Sequence, residues 1–303
     1  DDNLIGSPTR AKDLLRAMIP WMEQRGYPFE LNTQVSVNLA ADAELLDLMI
    51  RAGFQRVFVG IESTDAASLE LSGKRQNLAI DLNDACGILT RAGLQVIAGC
   101  IIGFDHEEPG VDQRLIDFAA RNQIPEMFVT PLQVGPGTRL WERLEREGRW
   151  LPTAWSDDLG SQTGSINFET TRPLEEINAE LAHVYEALYE PGAYIERAFG
   201  QFARMRPPTF QRAFLMPTAS ELRALAIMLF RQTVLYRSRW TFLRRLAQAL
   251  ARFPERVPAY LAACVIGEHY FEYRHTVSGQ LAGAASRWTH ERGPREASTP
   301  AAP

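Results

Sequence analysis

A chain of 303 residues, 46% hydrophobic and 23% charged, is long enough to bury the core of one large domain plus an appendage. It contains no apolar run of about eighteen residues and opens on no charged-then-apolar leader, so the expectation is a cytoplasmic protein without a membrane span. The net charge of -5 divides unevenly, -7 over residues 1–150 and +2 over 151–303, and an acidic whole with few interleaved aromatics argues against nucleic acid as a partner.

In chain order, residues 9–25 place Leu14, Leu15, Met18, Ile19 and Met22 at helical spacing, with Thr9 as the expected N-cap and Gly26 as the stop. Residues 29–39 alternate apolar and polar side chains, which predicts a strand. Residues 42–52 return to helix. Two near-repeats follow forty residues apart, RAGFQRVFVG from Arg51 and RAGLQVIAGC from Arg91, each a helix end, a glycine in a left-handed cap and a short apolar strand. Residues 109–121 read as helix, 126–134 as strand, and PGTRLWERLEREGRW as a turn into another helix. Strands near 30, 57, 96 and 127, separated by helices, predict a parallel α/β sheet.

Parallel sheets bind ligands at the carboxyl ends of their strands. The polar residues there are Asp1, Asp2 and Asn3 if a strand precedes them, then Gln34, Ser36, Asn38, Glu62, Ser63, Gly103, Asp105, His106, Glu107, Gln133 and Thr138. Glu62, closing VFVGIES, is either a half-buried carboxylate in want of a partner or a solvated loop acid. Gly99 and Gly103 flank an apolar strand, where glycine admits a flat ligand or marks tight packing. The Asp105-His106-Glu107 run reads as solvated polarity rather than a metal cluster. Cys100 reads as an inert buried thiol, and Cys86, Cys100 and Cys264 lie too far apart for a local metal knuckle.

The order of motifs carries a resemblance. DDNLIG with AKDLL, GYPFELNTQVSVNLA, ELLDLMIRAGF, VFVGIES with SLELSGKRQN, GLQVIAGCIIGFD and PLQVGPGTRLWERLEREGR together resemble the radical S-adenosylmethionine enzymes that carry a cobalamin-binding domain. TGSINFE and LYEPGAYIER are similar to the helical extension of the branch that includes hopanoid methylases. The resemblance implies a partial (β/α) TIM-like barrel over residues 1–150 and a mainly helical extension over 151–285. It also implies that the chain is a fragment, lacking the cobalamin domain, the first barrel strand and the CxxxCxxC loop whose thiolates hold a four-iron four-sulfur cluster.

On matching positions, the resemblance gives Asp1 and Asp2, with Asn3, the methionine end of S-adenosylmethionine, and Glu62 the ribose hydroxyls. It gives Gly99, Ile101 and Gly103 the adenine side. Gln34 and Ser36 join this cofactor-binding set, although Gln34 stands where close relatives often carry Glu. The implied reaction uses a 5'-deoxyadenosyl radical to functionalise an unactivated carbon of a small-molecule or lipid substrate, with cobalamin as methyl carrier. A degenerate barrel that binds an adenosyl ligand or a protein partner without catalysis is the alternative.

In the second half, twelve arginines between 197 and 256 stand against Glu221 and Glu255. Residues 222–253 read as one long or two short amphipathic basic helices, which either pack with Arg outward or meet a membrane surface. From Ser286 onward the Pro, Ala and Ser content predicts a disordered tail.

Overall fold

The structure, a computed structural model, describes residues 4–64, 80–105, 107–151, 166–210 and 216–291, the last ten in backbone only. Helix α1 (Pro8–Gln24) buries Ala11, Leu15, Ile19 and Met22, the stripe its spacing predicts. It starts at Pro8 with Ser7, not Thr9, at the N-cap, because proline suits the first helical position, where no donor is needed.

Strands β1 (Leu31–Val35), β2 (Phe54–Glu62), β3 (Gln95–Ile102) and β4 (Met127–Pro131) form one parallel sheet in chain order. The strand expected over 29–39 is shorter than its alternation suggested. Residues Val37–Ala41 turn into a 3-10 helix that buries Val37 and Leu39 and leads to Asp42, whose carboxylate caps α2 (Ala43–Ala52). Alternating apolar residues are buried equally well by that turn. Helices α3 (Leu82–Ala92) and α4 (Val111–Asn122) complete the crossovers. The two RAG repeats end α2 and α3 as read: Gly53 and Gly93 take φ of 99° and 110°, and Arg51 and Arg91 sit in the last turn, where a cation complements the helix dipole.

Val57, Val59, Ile61, Val96, Ala98, Met127 and Val129 are fully buried on the helix-covered face. Asn32 and Gln34 are exposed on the opposite face, where Arg56, Phe58, Ile97, Ile101, Phe128 and Thr130 are partly exposed. Sequential strand order with one covered face is the arrangement of a barrel segment; a doubly wound sheet reverses direction and is covered on both faces.

After α5 (Arg139–Arg146) the chain becomes helical. α6 (Leu174–Leu188) lies along the outer edge of β4, where the Tyr185 hydroxyl donates to Val129 O (3.0 Å) and the Tyr189 hydroxyl to Met127 O (2.8 Å) while accepting from Met127 N (3.2 Å). Side chains thus satisfy backbone groups that another strand would pair. α7 (Pro191–Arg204) closes the amino ends of the strands: Arg197 Nε donates to Ile124 O at 2.8 Å and Gln201 Nε2 to Val96 O at 3.0 Å.

α8 (Ala219–Phe230) runs into a π-turn (Arg231–Leu235), followed by α9 (Arg239–Arg252) and the long α10 (Val257–Glu291). The basic segment is therefore two helices, packed on α10 and α7. α10 continues through Glu291, so residues 286–291, expected to open a disordered tail, are helical; the rest of that tail lies outside the described residues.

Candidate functional site

The accessible face of the sheet is where a ligand can reach the strands. In register across it, Gln34 stands beside Phe58, Phe58 beside Ile97, Gly60 beside Gly99, Gly99 beside Phe128, and Ile101 beside Thr130. A groove of about 420 Å3 opens here, lined by Asn32, Thr33, Gln34, Arg56, Phe58, Ile97, Glu126 and Phe128. Arg56 Nη2 donates to both Glu126 oxygens at 3.0 Å, and Gln95 Nε2 donates to Oε1 at 3.1 Å. Glu126 is 3% exposed; burial raises its carboxyl above the ordinary value and Arg56 opposes the rise. The sequence reading missed this ion pair. Its signal was Arg56 and Phe58 two residues apart in one strand, which puts them on one face.

Glu62 ends β2 at a register shift between Gly60 and Glu62, opposite Cys100. Its φ is 64°, left-handed backbone that a side-chain-bearing residue adopts at a cost of about 1–2 kcal/mol. It is half-buried. Ile101 is half-buried at the same end of β3, and Ser36 half-buried just beyond β1. Of the described candidates Gln34 lines the groove, while Ser36, Glu62, Ile101 and Gly103 lie nearer the carboxyl ends. Asp1, Asp2, Asn3 and His106 lie outside the described residues.

The two glycines have structural reasons. A Cβ on Gly99 would meet Phe58 Cζ at 2.5 Å, so that space holds a side chain of the protein itself. Gly103 has φ of 93°, a Cβ there would meet Ile166 Cδ1 at 2.9 Å, and its N–H already donates to Glu107 Oε2 at 2.7 Å. The tight-packing reading of both positions is the one the geometry favours.

Asp105 and Glu107 correct an expectation, because neither is solvated: they are 5% and 2% exposed. Asp105 accepts from Arg143 Nη2 (2.5 Å) and from Arg149 Nη1 and Nη2 (2.9 and 2.6 Å). Arg172 lies 4.0 Å from Glu107 and 2.8 Å from Glu180, which in turn accepts from Gly110 N at 2.7 Å. The acids of the β3–α4 loop thus anchor it to the chain that follows β4. Burial pushes the Glu107 carboxyl up to about 7, opposed by the Gly103 N–H and Arg172. The partners come from residues 38 to 65 positions away, which no local pattern reveals.

Cys100 is 2% exposed, and burial, then the nearby Glu62 charge, push its thiol far above the ordinary range, as an inert residue requires. Among the described residues no group of three His, Cys, Asp or Glu side chains is placed to hold a metal ion.

Comparison with known proteins finds the following similarities. Residues 138–282 match a domain of unknown function, DUF4070. The chain is 39% identical over 281 residues to a Synechocystis protein named an uncharacterized methyltransferase, covering 93% of this chain and 52% of that one. It is 32% identical over 218 residues to hopanoid C-2 methylase of Rhodopseudomonas palustris, covering 70% and 40%. Two solved structures align at low identity. The radical S-adenosylmethionine methyltransferase TsrM of Kitasatospora setae, with cobalamin and a 4Fe-4S cluster bound, aligns at TM-score 0.48 and 14% identity over 94% of this chain and 52% of that one. The cobalamin-dependent radical enzyme OxsB aligns at TM-score 0.41 and 13% identity over 97% and 51%. The chain spans about half the length, or less, of the curated relatives it matches. The hopanoid-methylase resemblance read from the motifs is borne out: by sequence this chain is a homologue of bacterial proteins named as methyltransferases.

Proposed function

We propose that this chain is the adenosyl-binding and substrate-facing part of a cobalamin-dependent radical S-adenosylmethionine methyltransferase. Its substrate is a small molecule or lipid methylated at an unactivated carbon, in the cytoplasm or at a membrane surface. The observation that carries the reading is Glu62, a half-buried carboxylate held in left-handed backbone at the carboxyl end of a parallel strand. Such backbone in a side-chain-bearing residue outside a helix end clusters at ligand-binding sites. The relatives named as methyltransferases support the reaction class.

In this reading residues 1–150 are the C-terminal part of the barrel, residues 151–285 the helical extension, and 286–303 the tail. Glu62 accepts hydrogen bonds from the ribose hydroxyls, and adenine lies against Ile101. Gln34 and Ser36 offer neutral polar contacts from β1, and Asp1, Asp2 and Asn3 suit the methionine ammonium. Gly99 and Gly103 contribute backbone shape, because the Phe58 ring and Glu107 already occupy their open side and N–H.

The iron–sulfur cluster does not fit the described residues: three buried, dispersed cysteines cannot converge on it. Its ligands and the cobalamin domain belong, in this reading, to the rest of a longer protein. When bound, these cofactors supply the radical and methyl-transfer chemistry, while this chain orients S-adenosylmethionine and excludes water.

The test is the full-length protein, reconstituted anaerobically and reduced, assayed for 5'-deoxyadenosine. Glu62→Gln is expected to weaken S-adenosylmethionine binding about tenfold by removing charge-assisted hydrogen bonds. Reconstituted protein that forms no 5'-deoxyadenosine, or affinity indifferent to this substitution, overturns the reading.

A further inference from the structure

Most of the exposed large apolar side chains among the described residues gather in one segment of the chain. Leu222, Ile227, Phe230 and Val234 lie exposed along α8 and its π-turn, and Trp240 and Leu250 along α9. Trp240 is 71% exposed and Phe230 56%. A surface helix ordinarily presents polar side chains outward. α8 does not, for the stretch ALAIMLF between Arg223 and Arg231 carries no charge. Its inner side is already used: Met228 is buried, and Gln232 and Tyr236 donate to Glu268 of α10 at 2.7 and 2.8 Å. Outward exposure is therefore not a packing face turned the wrong way.

The charge around these stripes has one sign. Between residues 216 and 254 there are seven arginines and one acid, Glu221, in a chain whose net charge is -5. Three of the arginines serve the fold: Arg231 pairs with Glu268 and Glu272, and Arg244 and Arg245 pair with Glu196 of α7. Arg223, Arg237, Arg239 and Arg252 are exposed beside the apolar stripes, and the Arg239 guanidinium lies 5.9 Å from the Trp240 ring. Exposed Leu, Phe and Trp flanked by arginines match a headgroup boundary, where apolar groups enter the acyl region and cations meet anionic lipid. No helix among the described residues is long and apolar enough to cross a membrane, so such contact is peripheral. A net acidic protein is repelled by an anionic bilayer unless a basic face leads the approach.

We propose that the outward side of α8, the π-turn and α9 docks this protein on an anionic lipid bilayer. The proposal rests on the lipid-directed reading above, to which it adds the surface that brings the enzyme to its substrate. Each exposed anchor contributes by apolar burial in the interface, and each unpaired arginine by attraction to the surface potential.

The experiment is flotation of the full-length protein with vesicles of phosphatidylcholine alone and of phosphatidylcholine mixed with phosphatidylglycerol. Binding is expected on the mixed vesicles and to weaken with added salt. Trp240→Ala with Phe230→Ser, and separately Arg237→Gln with Arg239→Gln, should each lower the partition coefficient about tenfold or more. All four side chains are exposed, and unchanged thermal melting checks that the variants fold. As an independent reading, an environment-sensitive dye on Trp240→Cys, with the signal of identically labelled wild-type protein subtracted and the three thiols of this chain buried, should shift to the blue on mixed vesicles.

No flotation with anionic vesicles, equal flotation on phosphatidylcholine alone, or indifference to both pairs of substitutions overturns the proposal. So does a face already covered by a second copy, seen as a dimer that Trp240→Ala dissolves, or by another part of the protein, seen as a dye shielded without vesicles. Vesicle binding and 5'-deoxyadenosine formation are separate readouts, so failure of this proposal and failure of the enzymatic reading are told apart.

Discussion

The Phe58 ring lies against the backbone of Gly99, in the space where any other residue at that position would place its Cβ. The two residues stand diagonally on adjacent strands, since Phe58 pairs with Ile97 and Gly60 with Gly99. Gly99→Ala should therefore destabilise the fold by about 1–3 kcal/mol through overpacking. Phe58→Leu should recover part of that loss in the double variant. Chemical denaturation of the four proteins measures the coupling; strict additivity would show that the ring does not need the glycine.

Glu62 offers a test of stored strain. Glu62→Ala and Glu62→Gly remove the same carboxylate but differ in their tolerance of a φ of 64°. The glycine variant should be more stable than the alanine variant by about 1 kcal/mol, while both lose S-adenosylmethionine affinity. Equal melting of the two would mean that the backbone at this position is relaxed.

The buried Glu107 gives the protein a pH dependence with a definite direction. Its carboxyl, ordinarily near 4.5, is pushed up to about 7 in the folded chain. Between these values the folded state holds a proton that the unfolded state has lost, so stability falls as pH rises from about 4.5 to about 7 and then levels. The fall amounts to about 3 kcal/mol at most for this group. Glu107→Gln should flatten much of the slope, while Glu126, raised in the same direction, leaves a residue of it. Denaturation midpoints of both proteins at pH 5 and pH 8 check this; a variant whose midpoint changes with pH as much as the wild type would rule it out.

Tyr189 should matter more than Tyr185 for the outer edge of β4. Tyr189→Phe leaves the buried Met127 N–H without its acceptor and Met127 O without its donor, a cost of about 1–3 kcal/mol. Tyr185→Phe removes one donor to Val129 O and should cost less. Hydrogen exchange at the Met127 amide should quicken in the first variant and not in the second.

The parallel α/β sheet and its helix caps were legible in the sequence because their causes are local. Gly53 and Gly93 follow Arg51 and Arg91 in two copies of one pattern, and the short apolar run after each glycine marks β2 and β3. The carboxyl-end location of Glu62 followed from strand direction alone. Its left-handed backbone did not, since the β-bulge that produces it depends on the register between β2 and β3. Pairings across long separations were equally hidden: Arg56 with Glu126, Asp105 with Arg149, and Tyr189 with Met127.

Sequence by itself determined most of the helices and strands of the first half, that the strands run parallel, and that the basic charge sits in the second half. Tertiary structure decided which acids are buried, which glycines serve packing, and which apolar residues stay outside. Propensity and periodicity act over one or two turns of chain, whereas burial depends on what arrives from elsewhere. Asp105 became an anchor because Arg143 and Arg149 return to it, and Trp240 stayed exposed because nothing in the described fold covers it.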